Sequence, residues 1–272
     1  MTKPTYLVCP PTHYEVSYVI NPWMQPTVWA AERAAWTAKA RAQWETLIET
    51  MQGLQWGIKE IAGQPGLPDM VFAANHAFVM DKKAVVMRAC TKERDGETPH
   101  ILKWFGDNGF EAIESRFVFE GGGDALYDPH YDLIWLGYGF RSSALMKDEL
   151  ERIYGKRVIP LALKNAYYYH LDTCLCPLRN GWAMLTASAF TQDAMDAIKS
   201  VYGDNVVYVE DADARQFACN AVVNDKDIVM PVVGEGLKTQ LNKIGFTTHN
   251  LELDSYILAG GASRCLTLRL TD

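Results

Sequence analysis

Short apolar runs broken by turn-forming residues recur along the chain, and four segments share one shape. Each has a small polar residue, an apolar stretch, a turn and a second apolar stretch. The first covers 75–80 and 84–87, led by Asn75; the second covers 124–127 and 133–138, led by Asp124. The third covers 172–176 and 182–186, led by Asp172; the fourth covers 220–223 and 228–233, led by Asn220. Each reads as a β-hairpin, because the Asp, Asn and Gly residues between the two runs tolerate the backbone angles of a tight turn. The leading residues recur at intervals of 49, 48 and 48, and a further 45 residues reach Cys265, which opens the strand-like stretch 265–270.

Between the hairpins the apolar spacing turns helical. The longest such stretch is 27–54, where Trp29, Trp36, Trp44, Leu47, Ile48, Met51 and Leu54 recur at about one turn. Shorter helices are predicted over 99–108, 144–154, 191–201 and 235–244, each followed by a short apolar strand such as Val118-Phe119, Val158-Ile159 or Val206-Val207-Tyr208. The unit is therefore ββαβ, about 48 residues long and repeated five times. The last unit is completed by the N-terminal Tyr6-Leu7-Val8. Repeats of this length that join head to tail indicate radial or solenoid architecture, here a closed five-fold ring in which residues 1–272 form one domain.

Composition narrows the partners. With 26 Lys+Arg against 33 Asp+Glu the net charge is −7, and no block of basic residues stands out. This argues against nucleic acid or an anionic membrane surface and permits a small cationic substrate. The apolar runs fall well short of the ~20 residues of a membrane span, and residues 1–11 lack the pattern of a signal peptide. The six scattered cysteines read as reduced thiols of a cytoplasmic protein.

In a closed ring the polar residues that lead each unit meet near the axis. They are Asn75, Glu120 with Asp124, His170 with Asp172, Asn220, and Cys265: a thiol, an imidazole, carboxylates and amides. Cysteine nucleophiles need an acid–base partner within hydrogen-bond reach, and convergent carboxylates fork-bind a planar cation such as guanidinium. Asp172 stands two residues after His170 and would share its strand face. The glycines after Glu120 would let the backbone approach a ligand closely. Asp124 reads as a structural hydrogen-bonding residue and His76 as a surface residue. Cys174 and Cys176 have the wrong spacing for zinc.

Several motifs carry a resemblance. They are Asn21-Pro22-Trp23-Met24, Phe72-Ala73-Ala74-Asn75, Phe119-Glu120-Gly121-Gly122-Gly123-Asp124, Gly137-Tyr138-Gly139-Phe140-Arg141, Tyr169-His170-Leu171-Asp172 and Gly260-Gly261-Ala262-Ser263-Arg264-Cys265. Over nearly its whole length the chain resembles the guanidino-group-modifying (pentein) superfamily, whose fold is a five-bladed α/β propeller. It is most similar to the arginine dihydrolase and dimethylarginine dimethylaminohydrolase-like members.

The resemblance implies Cys265 as nucleophile, His170 as acid and base, and Glu120 and Asp172 as guanidinium clamps. It also implies Arg94 and Arg141 as the groups that hold a substrate carboxylate, and Asn21 and Asn75 as pocket residues. No metal or organic cofactor is implied. Asn75 stands where an aspartate is expected in arginine deiminases and dimethylarginine hydrolases. An amide there can donate to a ureido oxygen, so citrulline would be retained and attacked again. The reading is therefore arginine dihydrolase, arginine giving ornithine, two ammonia and carbon dioxide. The alternatives are deimination or dimethylarginine hydrolysis to citrulline, amidinotransfer, and a non-catalytic arginine-binding pentein. The partner is a small cation, arginine or a derivative, and a homo-oligomer is compatible with the sequence.

Overall fold

The computed structural model describes residues 3–271. The unit expected over 1–272 also includes Met1, Thr2 and Asp272, which lie outside the described residues. Fifteen short strands pair into five three-stranded sheets among the described residues. The first sheet joins the two ends of the chain. Its middle strand β1 (Thr5–Val8) pairs parallel with β2 (Gly57–Glu60) and antiparallel with β15 (Thr267–Arg269). The second holds β3 (Ala77–Met80), β4 (Lys83–Val86) and β5 (Glu111–Glu114); the third holds β6 (Ala125–Asp128), β7 (Leu133–Tyr138) and β8 (Arg157–Ala162). The fourth holds β9 (Leu175–Pro177), β10 (Ala183–Leu185) and β11 (Val206–Tyr208); the fifth holds β12 (Val222–Asn224), β13 (Asp227–Pro231) and β14 (Thr247–Leu251).

Four blades are an antiparallel hairpin whose second strand pairs parallel with a third, and the first has the same pairing with β15 in the place of the first hairpin strand. A parallel pair needs a crossover long enough to return the chain to the same edge, and a helix supplies it. The crossovers carry α1 (Pro26–Ala31) with α2 (Arg33–Gly53), then α3 (Thr98–Asp107). Ahead of β6 comes the single turn α4 (Gly121–Asp124). The later crossovers carry α5 (Met146–Tyr154), α6 (Gln192–Tyr202) and, after the short turn α7 (Asp211–Ala214), α8 (Glu235–Lys243). A last short turn, α9 (Asp254–Ile257), precedes the closing strand. No described helix is long and apolar enough to cross a membrane.

The hairpin turns follow the sequence chemistry. Asp81 and Lys82 both take positive φ, 51° and 59°, as a two-residue primed turn requires. Two expectations need correction. The third strand of the second blade is β5, not Val118-Phe119; Phe119 is buried and only bridges Arg88. β5 is an edge strand flanked by Glu111 and Glu114, so it lacks the apolar signature that Phe119 has from packing inward. The long helix over 27–54 breaks at Glu32, whose φ of −134° is not helical. Its buried face remains as read, with Trp29, Trp44, Leu47, Ile48 and Met51 inward.

In the second blade α3 packs against β4 and β5, with Ile101 and Phe105 buried. In the second blade Phe105 is fully buried, with Trp104 and Phe110 at ring centroid distances of 5.2 and 5.3 Å. Phe105→Ala should lower unfolding stability by about 3–5 kcal/mol, read from a urea titration. A loss below about 1 kcal/mol would mean that α3 is not a principal anchor of its blade.

Candidate active site

The residues that lead the repeats do not lie on strands. They sit in short helical turns at the starts of the innermost strands. Asn75 lies in the turn Ala73–His76, Glu120 caps α4, and Asp172 lies in the turn Leu171–Thr173, which His170 caps. Cys265 lies in the turn 263–266 that leads directly into β15. His170 and Asp172 therefore meet the site through a helical turn and not through a shared strand face. Glycines allow these turns to touch. A Cβ on Gly121, at φ 54°, would lie 2.7 Å from the Asn75 carbonyl oxygen. One on Gly123 would lie 2.3 Å from Asn75 Nδ2 and 3.3 Å from the His170 ring. The glycine run thus admits neighbouring turns of the protein itself, not a ligand.

Cys265 is 2% exposed, and its Sγ lies 3.0 Å from Asn220 Nδ2 and 3.4 Å from Asp172 Oδ2. Asn220 Oδ1 accepts the backbone N–H groups of Ala262 and Cys265, both at 3.0 Å, so one amide fixes both loop and sulfur. Burial pushes the Cys265 thiol well above its usual range, and the Asp172 charge adds to this. Burial likewise lifts the Asp172 carboxyl to about 7, against the opposing pull of Arg264. Burial thus disfavours the charged form of both members of the pair.

On the other side, His170 Nε2 lies 2.7 Å from Glu120 Oε2, while buried Nδ1 has no hydrogen-bond partner among the described residues. Glu120 is fully engaged: Arg141 Nη1 reaches both oxygens at 2.9 and 3.2 Å, and the Cys90 N–H donates to Oε1 at 3.1 Å. Burial alone would raise its pKa, but Arg141, His170 and Arg94 together hold the carboxyl far below the usual range. Asp124 accepts the Ser142 hydroxyl at 2.6 Å and the Leu171 N–H at 3.0 Å, tying the glycine turn to the histidine turn. Burial raises its carboxyl to about 6.

Arg94 and Arg141 are both buried, 2% and 5% exposed. Arg94 forks onto Glu97 at 2.7 and 2.8 Å and donates to Asn75 Oδ1 at 2.7 Å; Asn75 Nδ2 in turn donates to the Glu120 carbonyl at 3.3 Å. Arg141 lies over the Tyr169 ring and donates to the Ile20 carbonyl at 2.8 Å. That carbonyl belongs to a segment covering the pocket. Within it Tyr18 Oη donates to Asp69 at 3.0 Å, Asn21 Nδ2 to the Ala259 carbonyl at 3.0 Å and Trp23 Nε1 to the Tyr167 carbonyl at 2.7 Å. Asn21 thus lines the pocket wall as the pin of its cover.

Asn21, Asn75, Arg94, Arg141, His170 and Cys265 all line one cavity. Glu120 and Asp172 back onto it through His170 and Cys265. Asp69 is a site residue that sequence reasoning missed: it faces the same cavity, buried, and its Oδ1 has no hydrogen-bond partner among the described residues. Burial raises its pKa against the pull of Arg94. It lies outside the leading position of the repeat, so periodicity carries no signal for it. His76, expected at the surface, is fully buried and held neutral by desolvation, its pKa lowered to about 3.

A pocket that joins a buried thiol beside a carboxylate, a carboxylate-oriented imidazole and two guanidinium groups suits acyl- or amidine-type transfer on a charged small molecule. A family model described as "N,N dimethylarginine dimethylhydrolase, eukaryotic" matches residues 15–271. The chain belongs to this family, within the guanidino-group-modifying superfamily of five-bladed propellers.

Over 98% of its length it is 38% identical to the bifunctional arginine dihydrolase/ornithine cyclodeaminase ArgZ of Synechocystis sp., but it spans only 37% of that relative. It is 34% identical to the N(G),N(G)-dimethylarginine dimethylaminohydrolase of Mycobacterium tuberculosis, over 97% of this chain and 85% of the relative. The solved N-terminal domain of cyanobacterial ArgZ, a cysteine-to-serine mutant bound to substrate, superposes with a TM-score of 0.93 at 36% identity. The match covers 99% of both chains.

The raised Asp172 carboxyl gives a stability test. Its folded pKa, about 7, lies above the unfolded value near ~4. The protonated form therefore stabilises the fold fully below ~4, and this contribution is lost as pH rises through about 7. Asp172→Asn keeps the shape without the titration. Its Tm should gain on the wild type by several degrees when pH is raised from about 5 to about 8. An equal Tm difference at both pH values would mean that the carboxyl is not raised.

Proposed function

We propose that this chain is a cysteine-dependent hydrolase of the guanidinium C–N bond of free arginine, acting as one catalytic unit in the cytoplasm. The observation that carries the reading is the buried pairing of Cys265 with Asp172, facing a His170 oriented by Glu120. All six cysteines carry free thiols, in keeping with a reducing compartment.

Arginine brings a guanidinium to the Cys265–Asp172 pair. Its guanidinium beside Asp172 lowers the pKa of carboxyl and thiol together, so that substrate binding itself generates carboxylate and thiolate. Arg94 and Arg141 receive the α-carboxylate, and the unpartnered oxygen of Asp69 receives the α-ammonium. The thiolate attacks the guanidinium carbon and ammonia departs with a proton from His170. Water, deprotonated by His170, then displaces sulfur to give citrulline. Glu120, expected as a clamp, acts in this reading on His170, because both of its oxygens are taken by protein donors.

Asn75 extends the reading to a second cycle. Arg94 holds its Oδ1, which fixes the orientation of the amide, and a neutral donor suits a ureido group where a carboxylate would repel it. Attack on the ureido carbon expels the second ammonia and leaves an S-thiocarbamate. Its hydrolysis gives a carbamate that loses carbon dioxide and leaves ornithine. The second reading, release of citrulline from arginine or dimethylarginine, is favoured by the description of the family model.

Mass spectrometry with an ammonia assay separates the two. Arginine should yield ornithine and about two equivalents of ammonia, with Asn75→Asp stopping at citrulline and one equivalent. Wild-type protein that accumulates citrulline and never ornithine would overturn the second cycle. Cys265→Ser should release no ammonia; unchanged release would sink the nucleophile assignment. Gly123→Ala should fold but lose about 10²-fold in kcat/KM, because its Cβ displaces Asn75 and the His170 ring together.

A further inference from the structure

Asn220 heads the fourth repeat and is fully buried beside the thiol, yet the thiolate reaction assigns it no chemical step. Every hydrogen-bonding position of its side-chain amide is taken. Oδ1 accepts the Ala262 and Cys265 N–H groups, both at 3.0 Å. Nδ2 donates to the Asp172 carbonyl at 3.3 Å and to Cys265 Sγ at 3.0 Å. The Asn220 backbone carbonyl accepts the Arg264 N–H at 3.2 Å as well. Two backbone N–H groups can be accepted only by an oxygen, so the amide cannot be reversed and its nitrogen faces the sulfur.

The surroundings of the sulfur give that donor its weight. Burial and the Asp172 charge both oppose a thiolate, whereas the Asn220 side chain and the Ala262 N–H favour one. The buried Tyr169 phenol faces the same sulfur, and Arg264 acts on Asp172. A thiol can donate its proton to Asp172, 3.4 Å away, while it accepts from Asn220. A thiolate can only accept, so the Nδ2–H contact is one that strengthens when the sulfur becomes charged.

We propose that Asn220 is a catalytic residue whose Nδ2–H stabilises the Cys265 thiolate both as it attacks and as it leaves. The inference rests on the reading of Cys265 as the nucleophile. In attack the sulfur electron pair forms the bond to the guanidinium carbon. Ammonia then departs with the C–N pair and a proton from His170. In hydrolysis water gives a proton to His170 and bonds to the same carbon. The C–S pair returns to sulfur, where Nδ2–H again meets the negative charge.

Asn220→Asp tests this directly. It keeps an oxygen acceptor for the Ala262 and Cys265 N–H groups and sets a carboxylate oxygen, which cannot donate, against the sulfur. Ammonia release from arginine should be followed between about pH 6 and about pH 10. The variant should lose at least about tenfold in kcat with KM within about threefold of wild type. The acidic limb of its kcat profile should move to higher pH by about one unit or more, because the thiolate has lost a donor. A fall in kcat with that limb unmoved would show that Asn220 only holds the loop and would overturn the proposal. If the variant does not fold, proton–nitrogen NMR spectra of the wild type and of Cys265→Ala decide. One Asn220 side-chain amide proton should shift when the sulfur is removed, and two unmoved protons would overturn the donation. Ammonia release by Cys265→Ala would overturn the nucleophile reading itself. An inactive Cys265→Ala beside an unaltered Asn220→Asp would overturn this proposal alone.

Discussion

A carboxylate with no exposure to water has to be surrounded by donors, and Glu120 shows what that requires. Its charge is tolerated because Arg141 pairs with it, His170 shares an oxygen and the Cys90 N–H donates to the other. Each partner is drawn from a different turn, so satisfying one buried charge fixes the relative position of several blades. Arg141 passes the constraint outward to the Ile20 carbonyl in the cover. The histidine is held by the same anion that the arginine neutralises. Loss of that carboxylate would therefore disturb the imidazole, the guanidinium and the lid together.

The remaining charges of the site are arranged around that fixed pair. Arg94 forks onto Glu97 and orients Asn75, while Asp69, Asp172 and Cys265 all have pKa values pushed upward by burial. Burial thus disfavours the charged form at all three groups, while Arg94 opposes the rise at Asp69 and Arg264 opposes it at Asp172.

Much of this arrangement follows from local patterns. The hairpins were legible because alternation of apolar residues and turn chemistry act over a few residues, as at Asp81-Lys82. Cys265, His170, Asp172 and Asn75 were legible because the period places them at equivalent positions. β5 was not, because an edge strand with charged ends has little apolar signal, and Phe119 mimicked it. Asp69 was not, because it reaches the cavity from outside the repeat position. His76 was misread, since nothing local distinguishes a surface histidine from one desolvated behind the site.

The sequence by itself determined the ββαβ unit, its five-fold repetition and the set of polar residues at the head of each unit. These depend on periodicity and turn propensity, which are properties of short windows. Only the tertiary structure decided what those residues do to one another. Glu120 lies 50 residues from His170 and Cys265 lies 93 from Asp172, yet each pair is in contact. The burial of these groups and the partners that orient them are set by ring closure, and no window of the sequence contains both members of either pair.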